Sequence, residues 1–464
     1  MISPPPKGMA LLLVLGPGLI WCGEFIGSGE VILAPRAGAI LGLGMLWVPV
    51  VAIFLKYWIG LAGARYTVCT GEGMIDMLSR TPGPKNWVIW PVFIGQLAMG
   101  MIATGALVSS SGAFAAYFFP AIPPYWLGWI ILAFILVVTW TGRFGLLKSV
   151  MSLLVTLIIL GALDAAVATW PGWSAVAAGI LGFNVPEIPA WAKSNPKVAS
   201  TGWAEILPLL GWAAGGFASQ VWYTYWVLGA GYGMAKDRGY GRPLEGERLA
   251  SVTVEEAGHL RSWCGVVNKD ATLAMVIGVV VTTGFALAGA GVLAPAQLAP
   301  EGPDVPLQIS RMFAERWGDF GAHLFVLAGL AALISTLLGQ FAGWPRLLAD
   351  CARLLFPKVA EYSWKVQFRA ILILFAFWNA LIVFTLGLKP VFLVKLGAVL
   401  DGLLLTPLQA LAVGWVFYRV MPRFFPAESA RLLRPSPIFA VGLALAFLVF
   451  GYFCVVQIPS EFTK

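Results

Sequence analysis

The sequence predicts an all-α polytopic membrane protein with eleven transmembrane helices, in which two sets of five helices form an inverted repeat. Three observations support this prediction. Apolar residues make up 59% of the 464 residues and charged residues only 11%, whereas about 25% of a soluble chain is charged. Eleven apolar runs are each long enough to cross a bilayer. Two of these runs, five runs apart, are interrupted by glycines and polar residues.

Each apolar run of about twenty residues predicts one membrane-spanning helix. We expect a single membrane domain over 1–464, with a first repeat over 10–169, a second repeat over 205–418 and an extra helix at 437–457. Short linkers separate most of the runs. The eleven runs cover residues 10–36, 44–68, 88–119, 125–141, 146–169, 205–234, 268–294, 321–345, 367–387, 390–418 and 437–457.

The lysines and arginines predict the orientation of the chain in the membrane. With the N-terminus placed inside, twenty-one of them fall in inside segments and seven in outside segments. Because inside segments carry the excess of positive charge, we expect the N-terminus in the cytoplasm and the C-terminus outside, in a bacterial inner membrane. The net charge of +8 follows from these segments and does not indicate a nucleic-acid partner.

The first run is interrupted at residues 27–29 (Gly-Ser-Gly), and Glu30 comes directly after the interruption. Each glycine in a helix costs roughly 1 kcal/mol relative to alanine, and a charged side chain near the bilayer centre costs at least about 2.5 kcal/mol. An unwound backbone persists in a membrane only where protein or water satisfies its amides. We therefore predict a broken helix whose break, together with Glu30, forms a polar site at mid-membrane.

The sixth run carries a similar interruption, with Gly211, the pair at 215–216, Ser219 and Gln220. Because five is an odd number, the first and sixth helices enter the membrane from opposite faces. Interrupted helices at corresponding positions of two oppositely oriented halves are typical of transporters with a binding site at the midplane. The sequence therefore favours transport over enzymatic activity, and its two histidines and five scattered cysteines match no catalytic or metal-binding motif.

Three motifs connect the sequence with a known family. They are the opening Gly16-Pro17 before the first break, the turn from Gly142 to Lys148, and the stretch 335–343 (Ser-Thr-Leu-Leu-Gly-Gln-Phe-Ala-Gly). In this order they resemble the first helix, the fourth-to-fifth turn and the eighth-helix signature of the Nramp (natural resistance-associated macrophage protein) divalent-metal transporters. The resemblance covers nearly the whole chain. It implies a LeuT-type fold, alternating access and a metal site between the first and sixth helices.

The sequence departs from this family where the family binds its metal. The family's Asp-Pro-Gly-Asn motif in the first helix corresponds to residues 27–30 (Gly-Ser-Gly-Glu). Its Met-Pro-His motif in the sixth helix corresponds to residues 218–220 (Ala-Ser-Gln), and a further family histidine corresponds to Tyr225. The third helix is acidic in proton-coupled relatives, but residues 96–119 contain no Asp, Glu or His. We therefore expect no proton coupling by the usual family route.

The alignment with the family implies a metal site made of oxygen atoms. Carboxylate, carbonyl and water ligands suit Mg²⁺, Ca²⁺ and Mn²⁺, whereas thioether sulfur suits softer metals. We expect a hard ion such as Mg²⁺ or Mn²⁺ as the transported substrate, and no resident cofactor. The implied ligands are the side chains of Ser28, Glu30 and Gln220 and the backbone carbonyls near Gly27 and Ala218.

Two acidic residues have alternatives that the sequence leaves open. Glu30 either belongs to the metal site or forms a structural ion pair with Lys56 or Lys395. Glu24, six residues earlier, either lines the inner pathway or pairs with Lys56. Carboxylates inside a membrane are more often functional than structural, which favours the site for Glu30.

Asp401 in the tenth helix and Arg36 at the outer end of the first helix are candidates for an extracellular gate. In the implied architecture these two helix ends face each other. The local alternative is a pair between Asp401 and Lys395. Tyr225 lies in an almost entirely aromatic stretch, so packing is the simpler alternative to a place in the ion pathway.

A second transport function also fits the sequence, namely a LeuT-type, Na⁺-coupled carrier of a small organic solute. The adjacent hydroxyls of Ser335 and Thr336, opposite the break in the first helix, are the groups that a sodium site would use. In either case the partners are the transported substrate and the lipid bilayer. The sequence does not indicate an oligomeric state.

Overall fold

A computed structural model describes residues 2–141, 143–301, 305–386 and 390–462, and helices are the regular secondary structure in these ranges. Helices lie in each of the eleven predicted runs. They are α1a (Pro17–Phe25), α1b (Ala34–Leu41), α2 (Trp47–Thr70), α3 (Ile89–Ala116), α4 (Pro124–Trp140), α5 (Phe144–Ala168), α6a (Gly202–Trp212), α6b (Phe217–Ala230), α7 (Val254–Ala288), α8 (Val305–Leu355), α9 (Trp364–Leu386), α10a (Pro390–Val399), α10b (Thr406–Trp415) and α11 (Pro437–Tyr452). Shorter helices are Ala10–Val14, Met74–Ser79, Trp173–Leu181, Ala190–Lys193, Gly246–Ala250, Pro357–Ala360, Ala427–Leu433 and Ile458–Phe462.

The lengths and apolar composition of these helices confirm an all-α polytopic membrane protein. Within the described ranges, seven helices are long and apolar enough to cross a membrane, and counting the two bent halves of α1 as one span makes eight. α4 and the part of α5 at Lys148–Gly161 are apolar but shorter. The count of eleven spans, the two repeats with their boundaries and the orientation of the termini stay predictions.

α1 is broken, as predicted. α1a ends at Phe25, Ile26 has an extended backbone conformation, and a π-helical turn over Gly29–Leu33 leads into α1b. The two segments differ in direction by 45°. A Cβ atom on Gly27 would lie only 2.3 Å from Thr336 Oγ1, so α8 packs directly against the break.

α6 is also broken as predicted, over residues 213–216. Ala214 and Gly215 have left-handed backbone conformations, with φ of 60° and 68°, and these end the helix. At Gly216 the chain passes so close to the tenth helix that a Cβ atom would lie 1.7 Å from Asp401 Oδ2. Glycine is therefore the residue that allows the carboxylate of Asp401 to reach the start of α6b.

The motif at 335–343 brings α8 against both broken helices. Gly339 and Gly343 are four residues apart and therefore lie on one face of α8. A Cβ atom on Gly339 would lie 2.2 Å from Glu24 Cγ of α1a, and one on Gly343 would lie 2.4 Å from Trp222 Cδ2 of α6b. Small residues allow such close helix approach within a membrane.

The other two motifs of the resemblance also meet. A Cβ atom on Gly16 would lie 2.6 Å from Lys148 Cε, so the start of α1a packs on the side chain of Lys148 in α5. Gly142, the first residue of the turn motif, lies outside the described residues.

Gly343→Ala is expected to destabilise the protein by about 1–3 kcal/mol, because the new methyl group overpacks against the indole of Trp222. The midpoint of thermal unfolding of the purified protein measures the effect. Gly258→Ala on α7 is the matched control, since open space surrounds that position and alanine favours the helix. A midpoint for Gly343→Ala that is as high as that of Gly258→Ala contradicts the close packing described above.

Candidate functional site

A small polar cavity, which we call the central cavity, lies between the break of α1 and the break of α6. Its free volume is about 10 Å³, close to the minimum that holds one water molecule. The wall combines carboxylate, hydroxyl and amide groups with aromatic rings. The polar side chains of the wall are Glu24, Ser219, Thr336, Gln340 and Asp401.

Glu24 lines the central cavity and connects α1a to α6b. Its Oε2 atom accepts a hydrogen bond of 2.5 Å from the hydroxyl of Ser219. Ser219 Oγ in turn accepts a bond of 3.1 Å from Trp21 Nε1. The Glu24 side chain is almost completely buried. The structure therefore places this predicted pathway residue on the wall of the cavity.

Asp401 also lines the central cavity, and three other helices contribute to holding it. Its Oδ1 atom accepts a hydrogen bond of 2.7 Å from Gln96 Nε2 on α3. Gln96 Oε1 accepts one of 2.8 Å from Trp344 Nε1 on α8. The backbone N–H of Ala218, in the first turn of α6b, donates to the same carboxylate. The N-terminus of a helix favours a carboxylate, so the start of α6b helps to position Asp401.

Glu30 is not on the wall of the central cavity. It is fully buried, and its Oε2 atom accepts a hydrogen bond of 2.9 Å from the backbone N–H of Gly27. Its Oε1 atom has no hydrogen-bond partner within the described ranges. Glu30 interacts electrostatically with Glu24. Glu30 thus caps the break of α1 and lies near the cavity without lining it.

The other predicted metal ligands also support the breaks rather than line the cavity. Ser28 Oγ accepts a hydrogen bond of 3.1 Å from Trp212 Nε1 at the end of α6a. Gln220 Nε2 donates one of 2.8 Å to the carbonyl of Ala214, and Gln220 Oε1 has no partner in the described part of the chain. The predicted ligands that lie outside the wall, besides Glu30, are Gly27, Ser28, Ala218 and Gln220.

Of the two predicted sodium ligands, Thr336 lines the central cavity and Ser335 does not. The Thr336 hydroxyl donates a hydrogen bond of 3.1 Å to the carbonyl of Ile26, which the break of α1 leaves without a helical partner. Ser335 Oγ instead contacts Met151 Sδ of α5 at 3.4 Å. The two hydroxyls therefore face different neighbours.

The ion pairs of Lys56 with Glu30 or Glu24, which the sequence left open, are not formed. Lys56 Nζ contacts four backbone carbonyls at the break of α6. Its charge acts on Glu30 and Asp401 from a longer distance. Lys395 likewise does not pair with Glu30, because both of its close contacts are with another carboxylate, Glu205.

The expected gate pair between Arg36 and Asp401 is not formed. The buried guanidinium of Arg36 binds both Glu205 oxygens at 3.2 Å and Glu301 Oε2 at 2.9 Å. Lys395 binds the same two Glu205 oxygens at 2.9 Å, so the alternative pair of Lys395 with Asp401 is absent too. We call these four paired residues the Arg36 cluster. Burial raises the pKa of the Glu301 carboxyl, although Arg36 opposes this shift.

Tyr225 does more than pack among aromatic rings. Its hydroxyl donates a hydrogen bond of 2.7 Å to Asp350 Oδ2 on α8. Arg353 binds Asp350 at 2.7 Å and Asp76 at 2.6 Å. These residues form a second polar cluster, which lies at the opposite end of α6 from Glu205.

The described residues contain no group of three or more His, Cys, Asp or Glu side chains arranged to hold a metal ion. An ion in the central cavity would therefore need hydroxyl, amide, carbonyl and water oxygens beside its carboxylates, as Mg²⁺ commonly does. No role at the site was predicted for Gln96, Ser219 or Gln340. The sequence signal for a functional role is weak for these three residues, since each is an uncharged polar side chain within an apolar run.

Glu205→Gln is expected to lower the free energy of unfolding by about 3–5 kcal/mol, because it leaves the buried charges of Arg36 and Lys395 without their shared partner. Thermal unfolding of the purified protein measures this loss. Glu187→Gln is the control, since Glu187 is exposed and 3.9 Å from Lys193, and its effect should stay below about 1 kcal/mol. Equal effects of the two substitutions contradict a buried ion-pair cluster.

Comparisons with proteins of known structure support the fold. The chain superimposes on a mutant form of the Eremococcus coleocola manganese transporter with a TM-score of 0.67 and 14% identity, over 99% of this chain and 89% of the other. It superimposes on Mhp1, a nucleobase-cation-symport-1 family transporter, with a TM-score of 0.53 and 14% identity, over 94% and 91%. At such identities the likeness concerns the fold, and it confirms the predicted LeuT-type architecture.

Comparisons at the level of sequence support the family. The divalent metal cation transporter MntH of Yersinia enterocolitica is 31% identical over 90 residues, which cover 19% of this chain and 22% of that protein. Residues 18–419 match the sequence model of one family, the natural resistance-associated macrophage protein-like proteins. This range includes both broken helices and the α8 motif. The chain therefore belongs to the natural resistance-associated macrophage protein-like family.

Proposed function

We propose that the protein transports a divalent metal ion across a membrane by alternating access, and that the ion binds in the central cavity. The observation that carries this proposal is the presence of two carboxylates, Glu24 and Asp401, on the wall of one small cavity between two helix breaks. Members of the family are transporters rather than enzymes. The names of two similar proteins also mention metal ions: divalent metal cations for the Yersinia enterocolitica transporter and manganese for the Eremococcus coleocola transporter.

The chemistry of the wall favours a hard ion such as Mg²⁺ or Mn²⁺. Two carboxylates, the hydroxyls of Ser219 and Thr336 and the amide of Gln340 offer oxygen ligands. Carboxylate, carbonyl and water oxygens suit Mg²⁺, Ca²⁺ and Mn²⁺, whereas sulfur and imidazole ligands favour softer metals. Mg²⁺ is commonly bound through one or two carboxylates, and the wall supplies two.

Glu30 has a supporting role in this proposal. Its carboxylate accepts the hydrogen bond of the Gly27 amide and interacts electrostatically with Glu24. It therefore stabilises the break and lies close to the cavity without lining it. A site centred on Glu30, as the alignment implies, is the alternative that the experiments below distinguish from a site centred on Glu24 and Asp401.

Proton coupling by the usual family route is not part of the proposal. α3 contains no Asp, Glu or His, and the amide of its Gln96 is engaged by Asp401 and Trp344. An amide does not exchange protons in the physiological range. The Arg36 cluster and the cluster around Asp350 lie at opposite ends of α6. In this proposal the two clusters open alternately during transport.

A Na⁺-coupled carrier of a small organic solute is the second candidate. Thr336 supports it, because its hydroxyl lies at the broken end of α1. The central cavity has room for about one water molecule, which favours an ion over an organic solute. Stabilisation of the purified protein by Na⁺ together with a solute, without any response to divalent ions, would support this second function.

Glu24→Gln and Asp401→Asn are each expected to reduce Mn²⁺ or Mg²⁺ uptake into proteoliposomes at least about tenfold, since the loss of a charged ligand costs more than about 1.4 kcal/mol of binding. Glu187→Gln on the surface is the control and should transport like the parent protein. Unchanged uptake by both variants of the cavity would exclude the central cavity as the metal site.

Substitutions of Glu30 separate a capping role from a ligand role. Glu30→Gln keeps an oxygen that accepts the hydrogen bond of the Gly27 amide, so it should retain more uptake than Glu30→Ala, which removes both the cap and the charge. Uptake at saturating and at low metal concentrations is the measurement. Equal and complete loss in both variants would instead indicate that Glu30 binds the metal directly.

A further inference from the structure

Lys56 on α2 places an ammonium group inside the break of α6. Its side chain is completely buried. The Nζ atom lies 3.1 Å from the carbonyl oxygen of Leu210, 2.6 Å from that of Gly211, 2.9 Å from that of Ala213 and 2.6 Å from that of Gly215. We call this set of four oxygens the carbonyl cage.

The carbonyl cage exists because α6a ends inside the membrane. The last four carbonyls of a helix have no partner within that helix, and they carry the negative end of the helix dipole. The left-handed conformations of Ala214 and Gly215 turn the following carbonyls away from the path of a helix. In hydrocarbon such groups need a polar or charged partner.

The contacts of Lys56 resemble ion coordination more than ordinary hydrogen bonding. An ammonium group has three N–H donors, but four carbonyl oxygens surround this nitrogen. The ring of Phe450 lies 5.6 Å away, within the range of a cation–π interaction. Cages of backbone carbonyls are also how proteins replace the hydration shell of a monovalent cation.

We propose that Lys56 is a built-in cation that occupies a binding site for a small monovalent cation in the break of α6. The unmodified protein then needs no dissolved alkali cation to hold this break. Its ammonium group also interacts electrostatically with Glu30 and Asp401. Removing the ammonium leaves an empty cage that takes up K⁺, Na⁺ or NH₄⁺.

Lys56→Ala tests the proposal through the thermal stability of the purified protein. Unfolding midpoints are compared at equal ionic strength in KCl, NaCl, NH₄Cl and N-methylglucamine chloride, whose cation is too large for the cage. The variant should be several degrees more stable in at least one of the three small-cation salts, with saturation as the concentration rises. The unmodified protein and Lys56→Arg should show no difference between small and large cations.

Two controls complete the experiment. Lys56→Met fills the space of the stem without the charge and should be destabilised in every salt, whereas Lys236→Ala at an exposed position should behave like the unmodified protein. Equal midpoints of Lys56→Ala in all four salts, or a saturable small-cation effect on the unmodified protein, would overturn the proposal. Because the readout is stability, it stays informative if the protein transports no metal.

If the Lys56→Ala variant does not fold, the recovery of folded Lys56→Gln is a second decisive measurement. Lys56→Gln is neutral and shorter than lysine, and it should be recovered in folded form in KCl or NH₄Cl but not in N-methylglucamine chloride. Equal recovery in all salts contradicts the proposal. Failure to recover it in any salt also contradicts the proposal, because the break would then require lysine itself rather than a cation.

Discussion

The open helix ends inside the membrane are the constraint on which the rest of the structure depends. Two broken helices expose backbone groups that hydrocarbon cannot satisfy, and each end has a partner of complementary charge or polarity. Lys56 binds the carbonyls at the end of α6a, and Asp401 accepts from the start of α6b. At the break of α1, Glu30 accepts from the amide of Gly27, and Thr336 donates to the carbonyl before it.

The same partners surround the cation site that we propose. Because carboxylates complement exposed N–H groups and ammonium complements exposed carbonyls, Asp401 lies at the start of α6b and Lys56 at the end of α6a. Glu24 and Asp401 line the central cavity there, whereas Lys56 is held away from it by the carbonyl cage. Structural support and attraction for a cation therefore come from one arrangement of charges, and Gln96 adds a donor that fixes the position of Asp401.

Much of the fold could be predicted from the sequence because it depends on local patterns. The length of the apolar runs predicts the helices, and the glycines near Gly27 and at residues 215–216 predict the breaks that the structure has. Neighbouring residues alone do not determine which polar side chains line the central cavity. Glu30 directly follows a break, yet its carboxylate turns back to the Gly27 amide, whereas Glu24, six residues earlier, reaches the cavity and Ser219.

The sequence by itself determined the membrane environment, the helical composition and the positions of both breaks, because apolar length and glycine content act over a few residues. Only the tertiary structure decided which charges meet. Gln96 and Asp401 are 305 residues apart, and Lys56 lies 155 residues from Gly211. Arg36 pairs with Glu205 rather than with Asp401. A buried charge binds the nearest unsatisfied partner in space, and the packing of the helices determines which partner that is.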